Sequence, residues 1–559
     1  MDQGRINLDW CASLLQGLVS AGLEQVVISP GSRNTPLTLA TLLLPQLHHQ
    51  VAVDERSAAF FALGMAVETG DPVALVCTSG TAVANWLPAV VEANSRQLPL
   101  ILLSADRPWE LQQCQANQTI DQVRLFGEQV RAFHQLSPPE ASETALRRLQ
   151  ALGRELVREA SRPCGGPVHV NLPLREPLVP EQIPPTLPTV PVAPCLPPRL
   201  SLQEGELQTL IESLDGRKGI IVCGLDAHSG ALPALGAALG VPVLADPLSS
   251  LRYGSEASVI GQYDLFLRSV SRRAQLAVEW VLHFGATPVS ATLQNFLDEQ
   301  TAARHWWVDA SGRTMDRQSM TVETLQASTA SLCGQLLSAG LDPLAPAWLE
   351  AWQEADRQVA LQLQKQPLPL EASILRHALE ALPDRSLLFS GNSLAVRFLD
   401  AYSGKLDKSI TVHGNRGASG IDGNLSTMAG IARACMGGAK VLGILGDLAF
   451  FHDLNALALA HDQDMILLLF NNQGGGIFDF LPQQALPEYE ACWRTPVPLD
   501  HGHIASAFGV DHFQVTDVQA FDEAFAAALR GQGLQLIEIV IDSAQTRELH
   551  EAVIAHWLN

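Results

Sequence analysis

Apolar residues fall along this chain in short unbroken runs. Each run ends in glycine or small polar residues and is followed by a stretch of helical periodicity. Val441 to Leu445 ends in Gly446-Asp447, and Met465 to Phe470 ends in Asn471-Asn472-Gln473-Gly474. Continuous apolar runs of this length read as strands buried on both faces, as in parallel sheets. Between the two, Leu454, Leu457, Ala458 and His461 recur at helical spacing, which predicts strand, crossover helix, strand, with a ligand crevice beyond the strand tips. The alternation recurs at Val26–Ser29, Val51–Val53, PVALVC and LPLILLSAD, and again in GIIVCGLDA, VPVLAD and EWVLHFGATP. The pattern predicts an α/β protein with three doubly wound parallel-sheet domains.

Punctuation sets the expected boundaries. Prolines recur between Pro163 and Pro198 too densely for a helix or central strand, and Pro367 and Pro369 mark a second break. This gives a first domain over 1–182, a proline-rich linker over 183–200, a central domain over 201–345, a second linker over 346–370 and a third domain over 371–559. No strict internal repeat and no low-complexity tract is visible. A length of 559 residues exceeds what one core supports. No apolar run approaches the ~18 residues that span a bilayer. The opening MDQGRINLDW lacks a basic region followed by an apolar one, so the expectation is a cytoplasmic protein without membrane insertion.

Composition narrows the chemistry. Nine cysteines without a Cys-x-x-Cys pair argue against a disulfide framework or a zinc site. A net charge of −22 argues against nucleic acid as a partner. Within that acidic total only five of the 36 basic residues are lysines, and arginine is the side chain that grips carboxylates in bidentate fashion. Anionic small substrates are therefore compatible with the charge. In the central domain, His305, Trp306 and Trp307 offer ring surfaces for an effector pocket.

Candidate chemistry gathers at the strand ends. Asp447 offers a carboxylate, Asn472 an amide oxygen and Gly474 a main-chain carbonyl, a donor set suited to a hard divalent cation such as Mg²⁺ on a diphosphate. Glycines at 446, 474, 475 and 476 would let the backbone approach that diphosphate. In the first domain the turn Pro30-Gly31-Ser32-Arg33-Asn34-Thr35-Pro36 opens a helix, an anion site that Ser32 and Arg33 would complete; a capped turn with a solvated arginine is the alternative. Glu55 precedes the small-residue helix SAAFFALGMA and is either a functional carboxylate or a helix N-terminal charge. The Ser79-Gly80-Thr81 turn is placed to meet a cofactor ring. Asp106 and Arg107 sit at a strand tip with Asn117 and Gln118 in the following loop, either to collect polar substrate groups or to face solvent in a salt bridge.

Taken together, ISPGSRNTPLTLA, DERSAAFFALG, TSGTAVAN, SADRP, ANQTI, GNSLAVR, NRGASGIDG, GDLAFFHDLNALAL and NNQGGGIF resemble the 2-succinyl-5-enolpyruvyl-6-hydroxy-3-cyclohexene-1-carboxylate synthase family of menaquinone and phylloquinone biosynthesis. These are thiamine diphosphate enzymes. The likeness covers both outer domains in order, and across the central one it rests on order and length. It implies a fold of the thiamine diphosphate-enzyme type, with a pyrimidine-binding first domain and a diphosphate-binding third. By the resemblance Glu55 would hydrogen-bond N1′ of the aminopyrimidine, and Ser419, Gly420 and Ile421 would seat that ring, Ile421 wedging the cofactor into a bent shape. Gly391, Asn392, Ser393 and Gly446 would line the diphosphate, with Asp447, Asn472 and Gly474 holding Mg²⁺ or Mn²⁺. The implied reaction decarboxylates 2-oxoglutarate and adds the resulting carbanion in conjugate fashion to isochorismate. Arg33, Arg107, Arg397 and Arg416 would surround the two substrates, Ser32, Asn117 and Gln118 would add neutral hydrogen bonds, and Ile477 and Phe478 an apolar wall. A homodimer or dimer of dimers with active sites at the subunit interface is implied as well. The rival readings are a pyruvate-using carboligase, which would leave the arginines without partners, and a non-catalytic protein of the same fold.

Overall fold

The apolar runs form parallel strands in three six-stranded sheets. The structure is a computed structural model that describes residues 2–161, 163–193, 200–227, 229–313, 322–435 and 438–558. The chain divides into two units, one taking residues 1–198, 415–437 and 452–463, the other 199–414, 438–451 and 464–559.

In the first unit the sheet contains β1 (Gln25–Ile28), β2 (His48–Val51), β3 (Val73–Cys77), β4 (Leu100–Asp106), β5 (Ala132–Gln135) and β6 (Val168–Pro173), in the order β2-β1-β3-β4-β6-β5. The central strands β3 and β4 are buried at every position, as their unbroken apolar runs require, whereas edge strand β2 is largely exposed. Strand order reverses between β1 and β3, so a crevice opens beyond their carboxyl ends. The Glu55–Thr69 helix packs on the Asn424–Ala434 helix by close backbone approach. A Cβ added at Gly64 would lie 2.0 Å from the Thr427 carbonyl oxygen, and one at Gly430 2.0 Å from that of Phe61. The small residues of SAAFFALGMA serve this contact.

The second unit holds two sheets. One contains β7 (Gly219–Cys223), β8 (Val243–Ala245), β9 (Val259–Ile260), β10 (Trp280–Phe284), β11 (Arg304–Val308) and β12 (Val322–Leu325), ordered β12-β11-β10-β7-β8-β9. The other contains β13 (Ser386–Ser390), β14 (Ile410–His413), β15 (Val441–Gly446), β16 (Met465–Asn471), β17 (Asp511–Val515) and β18 (Leu534–Val540), ordered β14-β13-β15-β16-β18-β17. Counted from its own first strand, this last sheet repeats the order of the first sheet. Its switch point lies between β13 and β15, whose tips are Ser390 and Gly446.

Several expectations change. Most of the stretch 346–370, expected as a linker, is a helix, Ala347–Leu363, with Trp348, Trp352, Ala355, Val359 and Leu363 buried at helical spacing. Pro367 and Pro369 lie beyond its end, so they mark where the helix stops. Residues 183–193 form neither helix nor strand and lie along the first unit, Leu187 N–H donating to the Leu43 carbonyl at 2.9 Å; residues 194–199 of that linker fall outside the described ones. The crossover between β15 and β16 is three short pieces, Asp447–His452, Leu454–Ala456 and Leu457–Ala460, rather than one helix. Trp306 and Trp307, two of the three residues suggested for an effector pocket, are buried in β11, with Trp307 stacked on His283 at 3.7 Å, while His305 is half-buried. Among the described residues no helix is long and apolar enough to cross a membrane.

Candidate active site

Three turns of the first unit meet at the tips of β1, β3 and β4. Gly31 lies against Thr78: a Cβ there would fall 2.4 Å from the Thr78 Cβ. Gly80, at φ +86°, donates its N–H to Gln122 Oε1 at 2.9 Å, a conformation and contact that favour glycine. Gln118, also left-handed, returns Nε2–H to the Ser79 carbonyl at 2.9 Å and accepts from Ser79 Oγ at 3.0 Å. The Ser79-Gly80-Thr81 turn and the Asn117-Gln118 loop are thus one structure, held by reciprocal side-chain to main-chain hydrogen bonds. Ser32 and Asn117 are exposed at its edge.

Two arginines face this region. Arg107 donates to the Gln118 carbonyl at 2.9 Å and to Ser79 Oγ. Arg33 is only 6% exposed and donates to the Leu174 carbonyl at 2.9 Å and to Glu176 Oε1 at 2.7 Å. Burial lowers the pKa of Arg107, and the positive charge of Arg33 lowers it further, so the two guanidinium groups lie close enough to repel. Glu176, 69% exposed at its side chain, is the carboxylate placed on Arg33. Arg33 is thus not the solvated arginine of the alternative reading, and Arg107 is half-buried with hydroxyl and carbonyl partners.

Beneath the tips lies a polar network of which sequence patterning singles out only Asp106. Asn171 Nδ2 donates to Asp106 Oδ2 at 2.7 Å and to Gln135 Oε1 at 2.9 Å, and Gln122 Nε2 donates to Asn171 Oδ1 at 2.8 Å. Ser104 Oγ lies 2.7 Å from His169 Nε2, and burial holds the pKa of His169 down to about 3, so the ring is neutral. Burial also raises the pKa of Asp106 despite its donors. Ser104, His169 and Asn171 are buried polar residues within the apolar strands β4 and β6, and that mismatch is the signal that exposes them in the sequence.

Glu55 opens its helix, and burial raises its pKa. Its neighbours fix the helix start. Asp54 Oδ1 accepts from Ser57 N–H at 2.9 Å, Asp54 Oδ2 accepts from Asn455 Nδ2 at 2.7 Å, and Arg56 donates to the His452 carbonyl at 2.7 Å. Burial and, to a smaller extent, the charge of Glu55 raise the pKa of the Cys77 thiol at the end of β3. Val53, two residues away, is 84% exposed.

The loop with Arg416, Ser419, Gly420 and Ile421 is anchored by a residue that the sequence reading missed. Buried Glu92 accepts from Gly417 N–H at 2.8 Å and from Ala418 N–H at 2.6 Å. Asn424 Nδ2 reaches the Gly420 carbonyl at 3.3 Å, and Ile421 is 40% exposed. A wide aliphatic side chain on a pinned loop is available to a ligand ring. Asp453, buried, accepts from Ser426 N–H at 2.8 Å and from Ser426 Oγ at 3.0 Å at the next helix start.

In the second unit the tips of β15 and β16 come together. Asp447 Oδ2 accepts from Gly474 N–H at 2.7 Å, so carboxylate and turn are mutually fixed. Burial raises the pKa of Asp447, a cost that a bound cation would offset. Arg494 braces the turn by donating to the Asn472 carbonyl and, at 2.7 Å, to Asp479 Oδ2, and its own carbonyl accepts from Gly475 N–H at 2.7 Å. The three consecutive glycines answer to this brace. A Cβ at Gly474 would meet the Arg494 carbonyl at 2.1 Å, one at Gly475 the Trp493 carbonyl at 2.5 Å, and one at Gly476 the Asn472 amide at 2.3 Å. At Gly446, by contrast, an added Cβ would meet nothing within 4 Å.

At the β13 tip, Gly391 N–H donates to the Ile444 carbonyl at 2.8 Å, Asn392 is buried, and Ser393 adopts φ +66°. Arg397, exposed on the Leu394–Tyr402 helix, donates to the Ser393 carbonyl at 2.6 Å. Ile477 and Phe478 lie half-buried on the Gly476–Phe480 turn. Among the described residues no group of three or more His, Cys, Asp or Glu forms a metal site, so a cation here depends on the mixed carboxylate, amide and carbonyl set. That oxygen donor chemistry fits Mg²⁺ or Mn²⁺ carrying phosphate oxygens.

Comparison with known proteins matches these parts in the same order. Residues 11–125 match a model described as the N-terminal thiamine pyrophosphate-binding domain of thiamine pyrophosphate enzymes, 198–390 the middle domain, and 401–539 the C-terminal thiamine pyrophosphate-binding domain. A protein of Dechloromonas aromatica is 41% identical over 551 residues, covering 96% of this chain and 99% of its own. Proteins of Listeria monocytogenes serotype 4b and Oceanobacillus iheyensis are 37% and 36% identical, covering 98% and 97% of this chain and 96% of theirs. All three carry the name 2-succinyl-5-enolpyruvyl-6-hydroxy-3-cyclohexene-1-carboxylate synthase.

Proposed function

Because the chain belongs to the 2-succinyl-5-enolpyruvyl-6-hydroxy-3-cyclohexene-1-carboxylate synthase family of thiamine diphosphate enzymes, we propose the following division of labour among its residues. The enzyme is a transferase of menaquinone biosynthesis that decarboxylates 2-oxoglutarate and joins the remaining four-carbon unit to isochorismate, releasing CO₂. Thiamine diphosphate, when bound, supplies the electron sink, so no side chain need be the nucleophile. Glu55 holds N1′ of the pyrimidine, and the burial that raises its pKa favours sharing a proton at that atom. Ser419 and Gly420 seat the ring through the main chain, with Ile421 beneath it.

Asp447, Asn472 and the Gly474 carbonyl hold Mg²⁺ or Mn²⁺ against the diphosphate, which Gly391, Asn392, Ser393 and Gly446 line. The observation that supports this reading is the Gly474–Asp447 hydrogen bond, which joins the tips of β15 and β16, 27 residues apart, into one oxygen-rich cradle next to the switch point between β13 and β15. Arg33, Arg107, Arg397 and Arg416 bind the substrate carboxylates, Ser32, Asn117 and Gln118 add neutral hydrogen bonds, and Ile477 and Phe478 form the apolar wall. The Arg33 and Arg107 pair supports this, because two mutually repelling guanidinium groups gain from a shared anion, and Glu176 already places a carboxylate on one of them.

The proposed division has a pyrimidine domain over 1–182, a central domain over 201–345 and a diphosphate domain over 371–559. The active unit is a homodimer or dimer of dimers in which Glu55 serves cofactor held by the partner subunit, and exposed Val53 and Ile421 fit burial there. The eight cysteines among the described residues are free, which fits a reducing, cytoplasmic setting.

Separating the two half-reactions tests these assignments. Losing a charge-assisted hydrogen bond costs about 1.5–3 kcal/mol, so Arg107→Ala lowers kcat/KM for isochorismate by about 10–100-fold while single-turnover CO₂ release from 2-oxoglutarate stays near wild type. Equal loss in both steps would move Arg107 to the other substrate.

A further inference from the structure

The Leu394–Tyr402 helix is buried over most of its length but exposes Arg397. It is gripped from behind by a fully buried ion pair. Arg252, 0% exposed, donates Nη2 to Asp400 Oδ1 at 2.5 Å and Nη1 to the Asp400 carbonyl at 2.6 Å. Its Nε donates to the Ala245 carbonyl at 2.9 Å, and Nη2 also reaches the Tyr263 hydroxyl at 3.0 Å. One step along, the Tyr253 hydroxyl donates to Ser403 Oγ at 3.1 Å. Ala245, Arg252, Tyr253 and Tyr263 all belong to the region of β8 and β9 in the central domain, which otherwise offers no group to the reaction.

Desolvating two charges is expensive, and well-packed apolar residues of similar size commonly hold a fold as well or better. What an apolar pair lacks is direction. One guanidinium here reads the side chain and the main-chain carbonyl of the same helical residue, which fixes the rotation and the axial position of the helix together. Arg397 stands three residues before Asp400 on that helix, so a shift at Asp400 is carried to it by a rigid backbone. A second hold acts from the C-terminal helix, where the Tyr402 hydroxyl and His550 Nδ1 are 2.6 Å apart.

We propose that Arg252 is a positioning residue: by its hold on Asp400 the central domain sets the Leu394–Tyr402 helix and thereby aims Arg397 at a carboxylate of the dicarboxylic substrate. The inference rests on the assignment of Arg397 to substrate binding. It gives the central domain a part in substrate recognition without contact to substrate.

A double-mutant cycle with Arg397→Ala tests it. Arg252→Met with Asp400→Leu removes both charges of the pair, leaving nearby buried Asp246 to its main-chain donors Leu248 and Val289, and Arg252→Lys restores the charge without the fork. The expected result for the charge-free variant is a melting temperature and thiamine diphosphate Kd near wild type, with KM for one substrate raised about tenfold and kcat little changed. Arg252→Lys recovers part of that loss. In the Arg397→Ala background the same changes add nothing, because the residue they aim is gone. An undiminished loss in that background, or wild-type kinetics in a folded charge-free variant, overturns the proposal. Should the charge-free variant not fold, Tyr263→Phe removes a single hydroxyl from the clamp and runs the same cycle on a smaller scale, with additivity again overturning it. Failure of the wild-type protein to use 2-oxoglutarate with isochorismate would instead remove the functional reading itself.

Discussion

Glu55→Gln lowers turnover by about 10²–10⁴-fold, the range that one positioned acid–base group contributes, while thiamine diphosphate still binds. Glutamine is close to isosteric and keeps a hydrogen-bonding group on N1′, but it cannot exchange a proton with that atom. The helix start does not depend on Glu55, because Asp54 caps it and Arg56 ties it to His452. Stability should therefore change little. Deuterium exchange at C2 of bound cofactor checks the role directly: slow exchange is expected in the variant, and near-wild-type exchange would remove Glu55 from cofactor activation.

Asp447→Ala removes the single charged ligand of the cation cradle and leaves the Gly474 N–H without its acceptor. Loss of a ligand should weaken metal-dependent cofactor binding by at least the 10–100-fold seen for lesser perturbations around metal sites. Calorimetric titration with thiamine diphosphate, with and without Mg²⁺, measures this. The expected outcome is that Mg²⁺ no longer tightens binding, and an unchanged metal effect would place the cation elsewhere. Mixing and re-pairing Glu55→Gln with Asp447→Ala subunits then tests the interface. Random pairing into two-fold dimers regenerates about a quarter of wild-type activity if each site draws Glu55 from one chain and Asp447 from the other. No recovery would assign Glu55 to cofactor held by its own chain, where Asp54 and Arg56 already meet Asn455 and His452.

Strands were legible because burial on both faces leaves an unbroken apolar run, as in β3, β4, β15 and β16. Polar tips were legible because they interrupt such runs, which is how Asp447, Asn472 and Arg107 stood out. The common order of the first and third sheets was not, since topology constrains where strands lie and says little about their residues. The Ala347–Leu363 helix was masked by the prolines that follow it, although its tryptophans keep a helical stripe. Supporting residues stayed hidden for a different reason. Glu92 pins the Ile421 loop from a helix more than three hundred positions away, and Arg494 braces Asn472 from the end of the short π-helical turn Glu490–Arg494. Nothing in the local pattern distinguishes them from surface charges. The close approach that glycine permits at 474–476 is visible in the fold as contact with the Trp493 and Arg494 carbonyls and the Asn472 amide, neighbours that the local sequence does not name.

CO₂ release by the purified wild-type protein, supplied with thiamine diphosphate and Mg²⁺, tests the synthase activity most directly. Three mixtures suffice: 2-oxoglutarate alone, 2-oxoglutarate with isochorismate, and pyruvate. Sustained release that requires both 2-oxoglutarate and isochorismate, with one CO₂ per molecule of adduct, is the predicted result; sustained turnover of pyruvate would contradict it.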